Sequence, residues 1–340
     1  SDITFINGEE GILRHRGYAI DELAENCLFL EAANLLIRGA LPSQGDLDAL
    51  LKEISGEYSL PEGMKELITG FPRDAHPMSV LSAMTSALSS YYPEIDDSEV
   101  SNQRATMILL GKLPTMAAYF YRHSIGEDLI DPDPALPYCA NFLNMMFGDG
   151  SGDETRAVKI KALNRLLILH ADHEQNCSTS TVRFIGSSGA NLFASIAGGI
   201  GALWGPLHGG ANQAVLEMLE KIDADGISMD TFIDKVKNDS DTRLMGFGHR
   251  VYKAYDPRAT IAKASCGEVL DNLGVEDPLL DLAKQLETHA LEDEYFVKRN
   301  LYPNVDYYTG ITYRGMGIPA GMFTVLFAIG RLPGWIAHWV

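Results

Sequence analysis

A chain of 340 residues is long enough for about two domains, and its 46% hydrophobic and 21% charged residues are typical of a soluble globular protein with a sizeable core. The net charge of −19 argues against nucleic acid and anionic membrane surfaces as partners. The four cysteines are scattered without a CxxC pair, and the N-terminal residues lack the basic and apolar regions of a signal peptide, so we expect a reduced, cytoplasmic protein.

Helical patterns dominate the chain from its N-terminus onward. The predicted helices cover residues 20–39, 44–60, 78–91, 102–121, 135–146, 155–171, 212–222, 229–238, 261–273, 278–294 and 319–329. Their apolar residues recur at intervals of three and four, which is typical of helices that bury one face. Residues 2–7 form the only plausible strand. The pattern therefore predicts an all-α fold.

Two uncharged runs need a decision between membrane span and buried helix. Residues 184–216 are rich in Gly, Ser and Asn and contain Pro206, and residues 315–330 contain Pro319 and are shorter than the ~20 residues that a span needs. Both runs predict buried helices that pack closely through small residues. The small residues of 184–205 would also suit a dimer interface.

Two glycine-rich stretches suggest domain boundaries. One is Gly209-Gly210, and the other covers residues 310–317. Residues 209–311 would then form a smaller helical domain inserted into a larger one made of residues 1–208 and 312–340. A cleft between two such domains is the usual place for a site gated by closure.

Three short segments surround two histidines and one carboxylate with glycine, proline or asparagine. They are WGPLHGG at 204–210, MGFGHR at 245–250 and NVD at 304–306. Glycine removes side-chain bulk and lets another molecule approach the main chain, which a core histidine rarely requires. The pattern predicts a proton-handling site assembled from His208, His249 and Asp306.

These residue types suit the deprotonation of a carbon next to a carbonyl, followed by carbon–carbon bond formation. That chemistry needs a base at the carbon and hydrogen-bond donors at the developing enolate and at the electrophile's carbonyl. Arg258 and Arg331 are candidates to clamp the electrophile's carboxylates bidentately. A cluster of five basic residues in this acidic chain also suggests a small anionic ligand. The cluster consists of Arg243, Arg250, Lys253, Arg258 and Lys263.

Along essentially its whole length the chain resembles the citrate synthase family. The matching segments, in the family's order, are HADHEQN at 170–176 followed by STST at 178–181, WGPLHGGAN at 204–212, MGFGHRVY at 245–252, YDPR at 255–258 and LYPNVD at 301–306. The resemblance implies the two-domain, all-α citrate synthase fold and an acyltransferase that joins acetyl-CoA to oxaloacetate. It also implies a homodimer or a higher homo-oligomer.

The resemblance further implies roles for the three central residues. Asp306 would remove a methyl proton from acetyl-CoA, and His208 would hydrogen-bond the thioester carbonyl. His249 would bind the oxaloacetate carbonyl and supply a proton as the bond forms. The citryl-CoA product would then be hydrolysed in the same site, with no cofactor and no metal.

Substrate-binding residues follow from the same resemblance. Those implied for oxaloacetate are His173, His249, Arg258 and Arg331. Those implied for CoA are Leu244, Met245, Gly246, Phe247 and Gly248, whose main chain would wrap the adenine, and Lys253, which would contact a phosphate. Family members continue past the position of Val340 and there supply another arginine to the neighbouring subunit. We expect no residue up to Val340 to correspond to that arginine.

Alternative interpretations remain open. A 2-methylcitrate synthase would use propionyl-CoA through the same residues, because one methylene is worth only ~1–3 kcal/mol of discrimination. A metal hydrolase could use His170, His173 and Asp306, since His-x-x-His can bind zinc, but it would leave the arginines unexplained. A non-catalytic or truncated helical scaffold is the third alternative, and loss of any of the three central residues would have favoured it.

Overall fold

Helices make up most of the molecule, and a small antiparallel sheet precedes them, in a computed structural model that describes residues 1–96, 98–239, 241–274 and 277–340. The helices are α1 (Ile20–Asn26), α2 (Phe29–Arg38), α3 (Gln44–Gly56), α4 (Glu62–Thr69), α5 (Pro77–Tyr91), α6 (Glu99–Ile125), α7 (Tyr138–Phe147), α8 (Arg156–His170), α9 (Cys177–Gly186), α10 (Leu192–Trp204), α11 (Ala211–Asp225), α12 (Met229–Asn238), α13 (Pro257–Leu273), α14 (Pro278–Glu292), α15 (Glu294–Val297), α16 (Val305–Gly315) and α17 (Phe323–Trp339), with a 3-10 turn at Ala320–Met322. The predicted all-α class is confirmed.

The sheet is larger than the single strand predicted at residues 2–7. Its strands are β1 (Thr4–Asn7), β2 (Ile12–His15) and β3 (Tyr18–Ala19), in the order β1-β2-β3. Thr4 pairs with His15 across the first antiparallel ladder. Strands of four and two residues are too short to show a clear alternation of apolar and polar side chains, which is why β2 and β3 were missed.

Most predicted helices are confirmed, with ends shifted by local chemistry. The predicted helix 20–39 divides into α1 and α2 because the backbone is extended at Cys27 and Leu28, where Asn164 Oδ1 accepts from the Phe29 N–H at 2.7 Å. Side-chain hydrogen bonds of this kind compete with helix continuation. Helices α4, α9, α15 and α16 were not predicted.

The glycines of α16 do not form the predicted break. Gly310 and Gly315 both lie inside the helix, where a Cβ on Gly310 would stand 2.8 Å from the Asn212 carbonyl oxygen and one on Gly315 would stand 2.6 Å from Leu270 Cδ2. They therefore let α16 pack closely against α11 and α13. Only the end of the predicted stretch breaks the helix, after Gly315, where Gly317 has φ of 84°, and the boundary between residues 311 and 312 falls inside a continuous helix. The division into two domains stays a prediction.

Helix α17 lies in the core and packs against α2, α8, α9 and α10. In the described part of the chain, the segment Ala320–Trp339 is the one helical stretch long and apolar enough to cross a membrane, and 89% of its most apolar window is buried inside the molecule. The predicted buried helix at 319–329 is confirmed, but it continues through Pro333 to Trp339. The helix thus extends beyond the uncharged run at 315–330, and its burial, more than its length, identifies it as a core helix.

Candidate functional site

The predicted catalytic and oxaloacetate residues come from six separate places in the fold. His173 lies between α8 and α9, His208 between α10 and α11, His249 before α13, Arg258 and Asp306 in the first turns of α13 and α16, and Arg331 within α17.

Helix caps set the positions of two of these residues. Asp256 caps α13 by accepting from the Arg258 N–H at 3.0 Å, and Pro257 occupies the first helical position. Asn304 caps α16 in the same way by accepting from the Asp306 N–H at 3.0 Å. Asp306 and Arg258 are thus each held by the chain immediately before them.

His173, His249 and Tyr252 form a tight aromatic cluster. The ring centroids of His173 and His249 are 5.0 Å apart, and those of His249 and Tyr252 are 4.8 Å apart. His173 Nε2 lies 3.2 Å from the Tyr252 hydroxyl. The structure therefore brings both predicted oxaloacetate histidines together and adds a tyrosine that the prediction omitted.

The protonation of His249 follows from its hydrogen bonds and its burial. Nδ1 accepts from the backbone N–H groups of Val251 at 3.0 Å and Tyr252 at 3.3 Å, so it carries no proton. Burial, assisted by the nearby positive charge of Arg258, lowers the pKa of His249 to about 4. At neutral pH the ring is therefore uncharged, and Nε2 holds its one N–H.

His208 is held by Ser178 at the start of α9. Its Nε2 accepts from the Ser178 backbone N–H at 3.3 Å and lies 2.8 Å from the Ser178 hydroxyl, which also accepts from Trp335 Nε1 at 3.1 Å. Burial, followed by the positive charge of Arg331, lowers the pKa of His208 to about 4. His208 is accordingly a neutral ring whose proton is on Nδ1.

Arg258 is a buried cation with a dedicated partner. It is 3% exposed, and its Nε and Nη2 donate to the two carboxylate oxygens of Asp256 at 3.0 and 2.9 Å. The same carboxylate accepts from the Val305 N–H at 3.2 Å. Asp256 thereby ties the arginine to the start of the helix that carries Asp306. The prediction missed this residue, although it stands inside the YDPR segment.

Arg331 is buried as well, but part of its guanidinium lacks a partner. Nε donates to the His170 carbonyl at 2.6 Å, whereas buried Nη1 has no hydrogen-bond partner among the residues that the structure describes. The guanidinium lies 4.8 Å from the Phe327 ring centre, and the His208 ring lies 6.5 Å from the same ring. Burial lowers the pKa of Arg331 to about 10, so it stays charged near neutral pH and can bind a carboxylate.

Asp306 has the electrostatics of a base. One oxygen, Oδ1, is buried without a hydrogen-bond partner in the described ranges, although the residue as a whole keeps some exposure. Burial raises the pKa of Asp306 to about 6, against the opposing effect of Arg258 and with a smaller contribution from Asp256. Asp306 is therefore ionised at neutral pH and more basic than an ordinary aspartate.

The predicted CoA segment is joined to the chain just before Asp306. Gly246 accepts from the Asn304 N–H at 2.9 Å, and Gly248 donates to the Tyr302 carbonyl at 2.7 Å. Both glycines have φ of 78°, and a Cβ on Gly246 would stand 2.6 Å from a Val215 methyl. The turn that contains Leu244, Met245, Gly246, Phe247 and Gly248 therefore needs glycine at two positions. Lys253 is exposed a few residues further on.

The metal-hydrolase alternative requires a cluster of metal-binding side chains among the described residues. Over residues 1–96, 98–239, 241–274 and 277–340, no group of three or more His, Cys, Asp and Glu side chains is placed to hold a metal ion. His170 instead bonds the Leu166 carbonyl through Nδ1 at 2.7 Å and packs edge-on against Phe327, with ring centroids 4.5 Å apart. In the described molecule His170 is thus held by a backbone carbonyl and an aromatic ring, and its buried Nε2 has no hydrogen-bond partner.

The electrostatic couplings join these parts into one site. Arg258 and Arg331 both act on the pKa values of Asp306 and His173, and Arg331 also acts on that of His208. The residues that the prediction omitted are Ser178, Tyr252, Asp256 and Phe327. Three of them stand inside or beside the matching motifs, so the motifs could have indicated them, whereas Phe327 is visible only from the packing of α17.

Comparison with known proteins identifies the family of the chain. The family model described as citrate synthase, C-terminal domain, matches residues 1–340. The chain is 55% identical over 343 residues to citrate synthase 1 of Mycobacterium tuberculosis, a match that covers 100% of this chain and 80% of that protein. It is also 55% identical over 346 residues to the citrate synthase of Corynebacterium glutamicum, covering 100% and 78% of the two chains.

Solved structures show the same similarity in three dimensions. The citrate synthase of Pyrobaculum aerophilum matches with a TM-score of 0.92 at 36% identity, covering 100% of this chain and 85% of the other. The citrate synthase of Thermoplasma acidophilum, solved as a ternary complex with carboxymethyl coenzyme A and oxaloacetate, matches with a TM-score of 0.89 at 29% identity, covering 100% and 88%.

Proposed function

Since the chain belongs to the citrate synthase family of condensing acyltransferases, we propose that it condenses acetyl-CoA with oxaloacetate and hydrolyses the resulting citryl-CoA to citrate and CoA. The observation that carries this proposal is the arrangement around Asp306. A carboxylate of raised pKa lies in one electrostatically coupled site with two neutral imidazoles and two buried arginines.

In the proposed reaction, Asp306 takes the methyl proton of acetyl-CoA. The Nδ1–H of His208 donates to the thioester oxygen and stabilises the enol or enolate. The deprotonated methyl carbon of acetyl-CoA attacks the ketone carbon of oxaloacetate. The Nε2–H of His249 donates its proton to the ketone oxygen, which becomes the hydroxyl of the product. A donor aimed at a developing oxyanion is typically worth about 3 kcal/mol.

We further propose that oxaloacetate binds through its carboxylates to the arginines, with His173 and His249 beside it. Arg331 Nη1, which is buried and lacks a partner in the described structure, supports this assignment because an unpaired cationic donor in the interior is costly. Arg258 keeps Nη1 for substrate while Asp256 holds its Nε and Nη2. CoA would lie on the turn at residues 244–248, with Lys253 near a phosphate.

The test of the proposed function is CoA release with oxaloacetate and either acetyl-CoA or propionyl-CoA. We expect a higher kcat/KM with acetyl-CoA. A clear preference for propionyl-CoA would replace the proposal by 2-methylcitrate synthase, and no CoA release with either thioester would contradict it and favour a non-catalytic helical protein.

We also propose that the protein acts as a homodimer. Phe184 on α9 is 83% exposed and Leu207 after α10 is 94% exposed, although both side chains are large and apolar. Large exposed apolar side chains on neighbouring elements are typical of protein–protein interfaces. Light scattering after size-exclusion chromatography would test the assembly, and a monomer at working concentration would contradict it.

A further inference from the structure

A buried glutamate outside the predicted site collects three hydrogen bonds. Glu287 on α14 is 3% exposed. Its Oε1 accepts from the Tyr255 hydroxyl at 2.7 Å, and its Oε2 accepts from Lys263 Nζ at 2.5 Å and from the Tyr308 hydroxyl. The donors come from the segment before α13, from α13 itself and from α16. One carboxylate on α14 thus joins the two elements that carry Arg258 and Asp306.

The three hydrogen bonds persist over the physiological pH range. Burial raises the pKa of Glu287, but the donors Lys263, Tyr308 and Tyr255 outweigh burial and hold that pKa below its usual range. Burial and the hydrogen bond to Glu287 both raise the pKa values of the two tyrosines, which therefore stay protonated and donate. Lys263 is 44% exposed and supplies the balancing charge from the surface.

The hydrogen bond between Glu287 and Tyr255 forms one arm of this network, and that arm leads to Arg258. Tyr255 directly precedes Asp256, whose carboxylate holds the Arg258 guanidinium in a fork and caps α13. Fixing the Tyr255 side chain therefore restrains the residue that orients the arginine. The two hydrogen bonds from Arg258 to Asp256 leave little freedom for the guanidinium to tilt once Asp256 itself is fixed.

The other arm leads to Asp306. Tyr308 follows Asp306 by two residues on α16, so at 3.6 residues per turn the two side chains point in roughly opposite directions. Tyr308 is fully buried, with its hydroxyl on Glu287 of α14 and Lys263 of α13 over its ring, while the charges of Arg258 and Arg331 act on the carboxylate of Asp306. Anchoring Tyr308 therefore fixes the rotation of α16 about its axis, which sets where the base points.

We propose that Glu287 is a positioning residue that holds Arg258 and Asp306 in register through Tyr255 and Tyr308. The inference rests on the function proposed above. A small displacement of a reacting group, of about 1 Å, can slow an enzyme by about a hundredfold, so a network that fixes two such groups has a measurable effect without touching substrate.

The sharpest test separates the two arms. Tyr255→Phe should raise the dissociation constant and the KM for oxaloacetate about three- to tenfold and leave kcat within about twofold. Tyr308→Phe should lower kcat about three- to tenfold and leave oxaloacetate affinity within about twofold. Glu287→Gln should do both. Oxaloacetate affinity is measured by calorimetry, which requires no turnover.

Tyr138→Phe is the matched control. Its hydroxyl donates to the Leu110 carbonyl at 3.0 Å in the core around α7, so the variant loses one buried tyrosine hydrogen bond away from the site. It should lower the free energy of unfolding about as much as the other two tyrosine variants while leaving both kinetic constants unchanged. If Tyr255→Phe and Tyr308→Phe behave like Tyr138→Phe, the positioning role is overturned, even if Glu287→Gln fails to fold.

The outcomes also separate this inference from the proposed function. Normal turnover of the unaltered enzyme with both tyrosine variants unaffected would overturn the inference alone. If the unaltered protein neither releases CoA nor binds oxaloacetate, both proposals are overturned together. The crossed result, with one variant changing affinity and the other changing kcat, supports both.

Discussion

Individual nitrogen and oxygen atoms decide the chemistry of this site. His208 and His249 each use one ring nitrogen to accept from backbone N–H groups, which leaves the proton on the other nitrogen. Burial keeps both rings neutral, and it raises the basicity of Asp306. A single physical cause, removal from water, therefore accounts for the protonation of both the proposed donors and the proposed base.

The pKa of Asp306 predicts the acid side of the pH profile. Asp306 must be ionised to act as a base, and burial raises its pKa to about 6. We expect kcat/KM to fall below about pH 6 and to approach a tenfold loss per pH unit, with one proton taken up. His208 and His249, with pKa values of about 4, stay neutral over this range. Initial rates with acetyl-CoA and oxaloacetate would measure it, and a flat profile down to about pH 4.5 would contradict the assignment.

Asp306 should also lower the free energy of unfolding at pH values at which its carboxylate is ionised. Its folded pKa of about 6 lies above the ordinary value of 3.8, so the folded state keeps its proton to higher pH than the unfolded state does. The stability from this group is present below about pH 4 and is lost as the pH rises through about 6. Asp306→Asn does not titrate, so it should be more stable than the unaltered protein at about pH 8 by about 1–2 kcal/mol, after allowing for partial exposure.

Urea unfolding of both proteins at about pH 4.5 and about pH 8 measures this difference. The advantage of the variant should be larger at the higher pH, and turnover should be lost at both. An advantage that is equal at the two pH values, or larger in acid, would show that burial does not raise the pKa of Asp306.

At the scale of elements, the sequence predicts much of this molecule because local chemistry and tertiary packing agree. Helix α12 has the predicted bounds, Met229–Asn238, because Ser228 caps it and its apolar residues share one face. The prediction failed where tertiary contacts decide: Gly310 and Gly315 resemble a break but serve as contact points within α16.

The residues of the candidate site also differ in whether the sequence alone could indicate them. His208, His249 and Asp306 stand in motifs whose glycines and caps are visible in the sequence. Phe327, by contrast, lies in a run of apolar residues along α17 and reaches the site only because that helix crosses the core. No local pattern distinguishes it from its neighbours, so packing alone could reveal it.

The turn at residues 244–248, which we propose as part of the CoA site, offers a prediction at this scale. Gly246 has φ of 78°, and a Cβ there would stand 2.6 Å from Val215 and 2.8 Å from Tyr307. Gly246→Ala should therefore displace the turn and raise the KM for acetyl-CoA about tenfold or more, with a smaller effect on oxaloacetate. Saturation curves for each substrate measure the difference.

Gly226→Ala is its control. Gly226 ends α11 with φ of 59°, and no described atom lies within 4 Å of the position that a Cβ would take. This variant has the backbone strain without the collision, so it should lose about 1 kcal/mol of stability and keep both KM values. Equal effects of the two substitutions on acetyl-CoA would show that the turn at Gly246 does not contribute to the CoA site.

At the scale of the whole molecule, the hairpin of β1 and β2 contacts the segment between His249 and Arg258, which lies more than two hundred residues further along the chain. The Gly8 carbonyl accepts from the backbone N–H of Lys253 at 2.8 Å and that of Ala254 at 3.3 Å. A Cβ on Gly11 would stand 2.8 Å from the Tyr255 carbonyl oxygen. The hairpin turn is thus a backbone-to-backbone support for the segment between His249 and Arg258.

Gly8→Ala should damage the site from this distance. The new Cβ would stand 2.1 Å from the Val251 carbonyl oxygen, which is backbone and cannot turn aside as a side chain can. Val251 also donates to His249 Nδ1, so a shift of this segment moves the histidine. We expect the KM for oxaloacetate to rise about tenfold and the free energy of unfolding to fall by about 1–3 kcal/mol.

Gly45→Ala is the control, because Gly45 lies in the exposed first turn of α3 and no atom of the described structure lies within 4 Å of its Cβ position. That variant should keep its kinetics and gain up to about 1 kcal/mol of stability, since alanine favours a helix more than glycine does. If Gly8→Ala leaves the oxaloacetate KM unchanged while lowering stability, the hairpin supports the fold without positioning His249.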